Sequence, residues 1–238
     1  MNVAISGDRG KCVTQPLGPH TYLFAIASGF GFVEGEPIAA AVLERLKSEM
    51  QRRTRRAKNP KNLLTTAMGR VNEEVHARTA SHEDYITAGC SATAVLLVEN
   101  RAFLAHAGST GAYLARDGYV VSLTKNDAFE NEGALPVLTR AVGVAPSIDV
   151  AACSFTLNDG DMLVLTGRRL READERRRLA ECLTYGAESV VGGEQMVIVR
   201  FQPEDQEQVS APAESHSVHS VAVGVLATIV FYAMLCIR

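Results

Sequence analysis

The sequence predicts an α+β fold in which helices and strand hairpins occupy different stretches of the chain. Two long segments carry apolar residues at helical spacing, and several short runs are apolar or alternating, as half-buried or buried strands are. The chain has 238 residues, of which 47% are hydrophobic and 21% charged, so it can bury a substantial core. We therefore expect one globular domain over residues 1–201.

The two helices are expected over residues 36–50 and 62–80. In the first segment, Ile38, Val42 and Leu46 recur at the spacing that places them on one face of a helix. A short helix and a last strand should follow the hairpins. This order gives a domain whose helices lie mostly before its strands.

The strands are expected wherever a short apolar or alternating run lies between turn residues. Asn100-Arg101 and Asp117-Gly118 are the expected hairpin turns, and the second is typical of a tight two-residue turn. The expected strands cover residues 22–27, 92–97, 102–107, 111–115, 162–166 and 196–201.

Charge and cysteine content narrow the functional class. The net charge of −3 gives no reason to expect a protein that binds nucleic acid. The amino terminus has no basic segment followed by an apolar one, so we expect no secretory signal. The five cysteines are odd in number and form no Cys-x-x-Cys pair, which favours a reducing cytoplasm over a disulfide framework. They are Cys12, Cys90, Cys153, Cys182 and Cys236.

The carboxy-terminal segment 221–237 is an uncharged apolar run. At about 1.5 Å per residue, a helix of this length reaches roughly 25 Å, close to the thickness of a bilayer's hydrocarbon core. A buried helix would normally show a polar face, which this run does not. We expect a single-pass tail anchor, with 202–220 as a flexible linker and the domain facing the cytoplasm.

A basic cluster lies between the two expected helices, and two interpretations of it remain open. One is a solvated loop, the ordinary state of a charge run. The other is a surface for anionic lipid headgroups or for a phosphorylated partner. The cluster comprises Arg52, Arg53, Arg55, Arg56, Lys58 and Lys61.

Several segments carry a family resemblance. LFAIASGFGF at 23–32 resembles a strand and turn with the motif Asp-Gly-x-Gly-Gly, and AHAGSTGAYLARDG at 105–118 resembles the hairpin "hvGDSRaYl.rdG". GDMLVLTGRRL at 160–170 is similar to "GDrlLLcSDGL", and GEQMVIV at 193–199 to "GxDNaTvvvv". All four motifs belong to the metal-dependent type 2C (PPM-type) protein Ser/Thr phosphatases. The resemblance covers residues 1–201 and implies a shortened two-sheet antiparallel β-sandwich flanked by helices, an α-β-β-α arrangement.

The resemblance also implies a pair of Mg²⁺ or Mn²⁺ ions, but this chain departs from the family at the acidic positions. Ser28 and Ser109 stand where aspartates are expected, Arg168 and Arg169 fall on an Asp-Gly pair, and Glu194 replaces another aspartate. A serine hydroxyl supplies no charge, and an arginine brings a fixed positive charge to a site meant for a dication. We therefore expect a degenerate member with no metal cofactor and no catalytic residue at these positions.

The preferred functional hypothesis is a membrane-tethered pseudophosphatase that binds a signalling partner or phosphoprotein. In it, Arg168 and Arg169 replace the metals electrostatically, with Glu194 as a possible pairing partner, and hold a phosphate without hydrolysing it. One alternative is an active, atypical metal-dependent phosphatase whose metals use Glu194, backbone carbonyls such as that of Gly29, and acids such as Asp8 or Asp127. Another is a structural module of a membrane assembly. His106 is expected to be a packed core histidine and not a base.

Overall fold

Antiparallel strands dominate the structure, a computed structural model, and two helices precede most of them. The structure describes residues 2–6, 11–31, 35–54, 59–80, 88–129, 137–170, 177, 179 and 195–202. The helices are α1 (Gly35–Arg53) and α2 (Pro60–Thr79). The strands are β1 (Asn2–Ser6), β2 (Cys12–Gly18), β3 (Thr21–Phe30), β4 (Gly89–Val98), β5 (Arg101–Ala107), β6 (Gly111–Arg116), β7 (Tyr119–Ser122), β8 (Ala128–Phe129), β9 (Val137–Leu138), β10 (Ala151–Thr156), β11 (Met162–Thr166) and β12 (Met196–Arg200).

The described strands form two five-stranded sheets and one small hairpin. The first sheet has the order β1-β12-β11-β6-β7, the second has the order β10-β5-β4-β3-β2, and β8 pairs with β9. All of these pairings are antiparallel. The expected α+β class with antiparallel sheets is confirmed.

The second sheet is buried on both faces, and the sequence of β4 is apolar toward both of them. Val95 and Leu97 belong to the apolar cluster shared with the first sheet. Ala94 and Leu96 belong to the cluster under the helices. Because successive strand residues point to opposite faces, a strand covered on both sides must be apolar at nearly every position.

Both expected helices are confirmed, with bounds that differ by a few residues. The amino-terminal end of α2 is capped, because the Asn59 side chain accepts a hydrogen bond from the Asn62 N–H at 3.2 Å and Pro60 opens the first turn. Val42 of α1 and Met68 of α2 are buried in the cluster that covers the second sheet. The short helix expected after residue 170 falls mostly outside the described residues.

The expected strands are confirmed with small changes in their bounds, and one expected turn is wrong by one residue. Arg101 pairs with Val98 and begins β5, so the turn is Glu99-Asn100, with Glu99 at φ 55°. The Asp117-Gly118 turn is confirmed. Its residues have φ values of 51° and 77°, as a type I′ hairpin requires at both central positions.

A bidentate ion pair joins the end of β6 to the turn before β11. The Arg116 guanidinium donates to the two Asp161 carboxylate oxygens at 2.8 and 2.5 Å, and the Asn158 N–H donates to the same carboxylate at 2.7 Å. Asp161 is 1% exposed. Burial alone would raise the pKa of Asp161, but the Arg116 and Asn158 hydrogen bonds outweigh burial and hold the pKa below its ordinary value.

Replacing Asp161 by asparagine is expected to lower the free energy of unfolding by about 2 kcal/mol, because Arg116 loses its charged partner at a partly exposed site. The stabilisation in the native protein should be complete above the unfolded-state pKa of about 3.9 and should be lost as pH falls through the lower folded-state pKa. Urea unfolding at pH 7 and at a series of acidic pH values measures both effects. If the free energies of unfolding of the variant and the native protein differ as much at the lowest pH as at pH 7, the ion pair is not the source of this stabilisation.

Met1–Glu204 form one compact unit. None of the helices in the described part of the chain has the length and apolar character needed to cross a bilayer. The apolar run 221–237, where the anchor is expected, lies outside the described residues, and so does most of the expected linker 202–220.

Candidate functional site

The structure brings two of the candidate site residues together at one end of the second sheet. Ser28 lies near the end of β3, directly opposite Ser91 of β4. Ser109 follows β5, its N–H donates to the Ser91 hydroxyl at 3.0 Å, and the two hydroxyls lie 3.2 Å apart. Ser91 therefore links Ser28 to Ser109. Sequence reasoning missed Ser91, because its place depends on the pairing register of β3 and β4.

The turn that presents Ser109 requires a glycine before it. Gly108 has φ +104°, and a Cβ atom at this position would lie 2.7 Å from Ser91 Cα. The Gly108 N–H donates to the Asp127 carboxylate at 3.0 Å, and the Asp127 N–H donates back to the Gly108 carbonyl at 3.2 Å. The contact between the Ser91 and Ser109 hydroxyls therefore depends on the close approach of the Gly108 backbone to Ser91. The two hydrogen bonds between Gly108 and Asp127 hold this backbone in place.

The segment after β11 also reaches this turn. The Arg169 N–H donates to the Ser109 carbonyl at 2.7 Å, and the Thr166 hydroxyl donates to the Arg168 carbonyl at 2.6 Å. The Gly167 N–H donates to the Gln195 carbonyl at 2.9 Å. The backbone of the two arginines is thus anchored beside Ser109, while Glu194, expected in the same place, lies outside the described residues.

A cleft of about 1010 Å³ opens at this end of the molecule. Ser28, Ser91 and Ser109 are among the residues that line it. Within the described part of the chain, the lining includes neither Arg168 nor Arg169. The remaining lining residues are Gly29, Phe30, Gly31, Val137, Leu138, Thr139, Arg140, Ala141, Val144, Ala145, Ser147, Ile148 and Asp149.

Among the described lining residues Arg140 is the cationic one, and it already contacts two acids. Its guanidinium donates to the Asp127 carboxylate at 2.5 Å and to the Asp149 carbonyl at 3.2 Å, and its distance to the Asp149 carboxylate is 3.5 Å. The hydrogen bond to Asp127 raises the pKa of Arg140 above its ordinary value. Arg140 therefore links the segments that carry Asp127 and Asp149 at the wall of the cleft. This role was not identified from the sequence.

A buried polar chain lies behind the cleft. His106 is 1% exposed, its Nδ1 lies 2.8 Å from the Thr93 hydroxyl, and its Nε2 lies 3.0 Å from the Lys125 carbonyl. Because a carbonyl only accepts, Nε2 carries the proton and Nδ1 accepts from Thr93. Thr93 also lies 2.7 Å from the Thr110 hydroxyl, and burial lowers the pKa of His106. The ring is a neutral, hydrogen-bonded core histidine, as the sequence indicates.

The donors that the structure describes at this site do not fit the metal pair that the family resemblance implies. Mg²⁺ and Mn²⁺ need several anionic or carbonyl oxygens. Ser28, Ser91 and Ser109 offer neutral hydroxyls, and the 5%-exposed Asp127 is already bonded to Arg140 and to the Gly108 N–H. The carboxylate of Asp149, which also lines the cleft, lies 3.5 Å from the Arg140 guanidinium. Among the residues that the structure describes, no group of three or more His, Cys, Asp or Glu could hold a metal ion.

Comparison with known proteins identifies the fold and the family. The family model for protein phosphatase 2C matches residues 10–133. No curated protein matches the sequence.

Solved structures agree at the level of the fold. The PPM Ser-Thr phosphatase MsPP from Mycobacterium smegmatis has 20% identity and a TM-score of 0.59, over 83% of this chain and 95% of that one. The serine/threonine phosphatase Stp1 from Staphylococcus aureus has 14% identity and a TM-score of 0.63, over 84% and 94%. PppA from Pseudomonas aeruginosa, described as a regulatory component of T6SS, has 17% identity and a TM-score of 0.60, over 84% and 96%. With the family model matching more than half of its length, this chain belongs to the protein phosphatase 2C family.

Proposed function

We propose that this chain is a protein phosphatase 2C family domain that does not hydrolyse phosphate esters and acts by binding a protein partner. The observation that carries the proposal is that Ser28, Ser91 and Ser109 line the cleft, with the Ser91 and Ser109 hydroxyls 3.2 Å apart. Two-metal hydrolysis needs cations that generate hydroxide and clamp the phosphate oxygens. Neutral hydroxyls do not hold such cations, so binding without turnover is the activity that this donor set supports.

We further propose that Arg168 and Arg169 give the partner site its affinity for a phosphoserine or phosphothreonine side chain. The Arg169 N–H bond to the Ser109 carbonyl supports this assignment, since it anchors that backbone beside the hydroxyl cluster. A guanidinium group binds phosphate oxygens through paired N–H donors without activating water. Neither arginine is among the described residues that line the cleft, so the pair would hold a phosphate beside the cleft, next to Ser109, and leave it intact.

Titration of the full chain with a phosphoserine peptide, with phosphate release followed in the presence of Mn²⁺, tests both proposals. We expect saturable binding without release, and weaker binding after Arg168→Ala or Arg169→Ala. Arg101→Ala is the matched control, because Arg101 is an exposed arginine at the opposite end of β5 from Ser109. Phosphate release at enzymatic rates would favour an active atypical phosphatase. Absence of peptide binding would favour a purely structural module.

The membrane tether is a separate part of the proposal and rests on the uncharged run 221–237. We propose that this run crosses a bilayer once, with the domain on the cytoplasmic side. Alkaline carbonate extraction of membranes from cells that express the full chain should leave it in the pellet. Ile229→Arg, which places a charge near the centre of the run, should release it. Extraction of the native chain by carbonate would show that the run is not an anchor.

A further inference from the structure

Three arginines surround a nearly buried carboxylate at the end of α1. Glu49 is 5% exposed, and both Arg52 and Arg53 donate to its carboxylate, Arg53 at 2.7 Å. Arg70, from the neighbouring helix α2, brings its guanidinium to 3.8 Å from the same carboxylate. One negative charge thus faces three positive ones, and the cluster keeps a net charge of about +2.

Stabilisation of the helix end does not account for the whole cluster. Arg52 and Arg53 lie in the last turn of α1, where basic residues interact favourably with the helix dipole. Arg70 lies in the middle of α2, far from either of its ends, yet it faces the same carboxylate. Arg45 gives the contrast within the same helix pair, because it lies 3.4 Å from Glu74 in a one-to-one pair.

The three side chains remain available to a ligand. Those of Arg52, Arg53 and Arg70 are 66%, 45% and 44% exposed. Each guanidinium carries five N–H donors, whereas a carboxylate offers about four acceptor sites. Glu49 therefore cannot occupy all of these donors, and each of the three side chains keeps a large exposed fraction.

We propose that this three-arginine cluster is a docking surface for a bilayer that contains anionic phospholipid headgroups. Charge complementarity supports a phosphate-bearing surface, and guanidinium groups pair well with phosphate oxygens. The sequence continues with Arg55, Arg56, Lys58 and Lys61 and contains no acid between 50 and 61, so four further basic residues follow within a few positions of Arg53. Such a distribution matches an extended anionic surface better than one phosphorylated side chain.

The proposal rests in part on the proposed tether, which would keep the domain within reach of the bilayer. In this arrangement the anchor attaches the domain to the membrane, and the three-arginine cluster determines which face of the domain contacts the bilayer surface. Docking should therefore depend on lipid charge and on ionic strength, whereas anchoring should not.

A fluorescence measurement on the full chain separates docking from anchoring. The protein contains no tryptophan, so Gln51→Trp, at an exposed position beside Arg52, provides a single energy-transfer donor to dansyl-labelled headgroups. The chain is reconstituted in nanodiscs of phosphatidylcholine alone or with about 30% phosphatidylserine. We expect greater transfer in the anionic discs, and loss of the difference at about 0.5 M salt, where screening acts over roughly 4 Å.

Charge variants assign the effect to the cluster. Arg52→Gln/Arg53→Gln should lower the ratio of docked to undocked domain about thirtyfold, and Arg70→Gln about fivefold. Arg45→Gln, from the one-to-one pair, should change it little. Circular dichroism shows whether each variant is folded, and Arg70→Gln leaves the other two partners of Glu49 in place.

Failure of this proposal and failure of the tether give different results. A chain that does not co-elute with the discs lacks the anchor, and the same reporter is then read after anionic discs are added to the soluble protein. Equal transfer with neutral and anionic discs overturns the proposal, as does unchanged transfer in both cluster variants. Phosphopeptide binding that needs these arginines, without any response to phosphatidylserine, would assign the cluster to a phosphoprotein and would also overturn it.

Discussion

Replacing Asp127 by asparagine is expected to lower the free energy of unfolding by about 3 kcal/mol, because it leaves a buried network without its anion. One carboxylate oxygen accepts from Arg140 at 2.5 Å, and the other accepts from the Gly108 N–H at 3.0 Å. His106 Nε2 lies 3.7 Å from the same carboxylate. Urea unfolding at pH 7, followed by circular dichroism, measures the loss.

Asp149→Asn is the matched control for this substitution. Asp149 also faces Arg140, with 3.5 Å between guanidinium and carboxylate, but its side chain is 93% exposed. An exposed ion pair contributes about 0–1 kcal/mol, so this variant should unfold almost like the native protein. Similar losses in the two variants would show that burial of Asp127 is not what makes its pairing strong.

Gly108→Ala is expected to have a larger effect, about 4 kcal/mol, because two costs add. The backbone at Gly108 has φ +104°, which is unfavourable for a residue with a side chain. The new Cβ would also lie 2.3 to 2.7 Å from atoms of Ser91, one of them the backbone Cα. Relief of that contact would have to separate Ser91 from Ser109, so the hydroxyl cluster should be lost together with stability.

Gly118→Ala isolates the conformational part of this cost. Gly118 has φ +77°, but a Cβ there would meet no atom within 4 Å. We expect a loss of about 1 kcal/mol from backbone strain alone. The same urea titration compares the two variants, and equal losses would mean that the contact with Ser91 does not limit the turn.

The fold was largely predictable from the sequence because its periodicities are local. The nine consecutive buried residues of β4 and the helical spacing of Val42 and Leu46 reflect the layers that cover them. Strand β2 was missed because it contains Pro16, which normally argues against a strand. This strand lies at the edge of its sheet, where a missing N–H is tolerated.

The candidate site was predictable only where the family resemblance reached. Ser28 and Ser109 are marked by their motifs, and the structure places both in the cleft. Ser91 and Arg140 take their places through pairing register and through contacts between distant segments, which no local pattern specifies. Asp127 was named only as a candidate acid of an atypical metal site, and its bond to Arg140 was not predicted. The sequence marked the basic run but could not show that a buried carboxylate of α1 attracts an arginine of α2.

A calorimetric titration of the full chain with Mn²⁺ tests the central claim most directly. If the cleft offers neutral hydroxyls in place of carboxylates, the titration should show no saturable heat at micromolar Mn²⁺, and Ser28→Asp/Ser109→Asp should increase the heat of binding. Binding of two Mn²⁺ ions per native chain, lost after substitution of a residue that lines the cleft, would contradict the account.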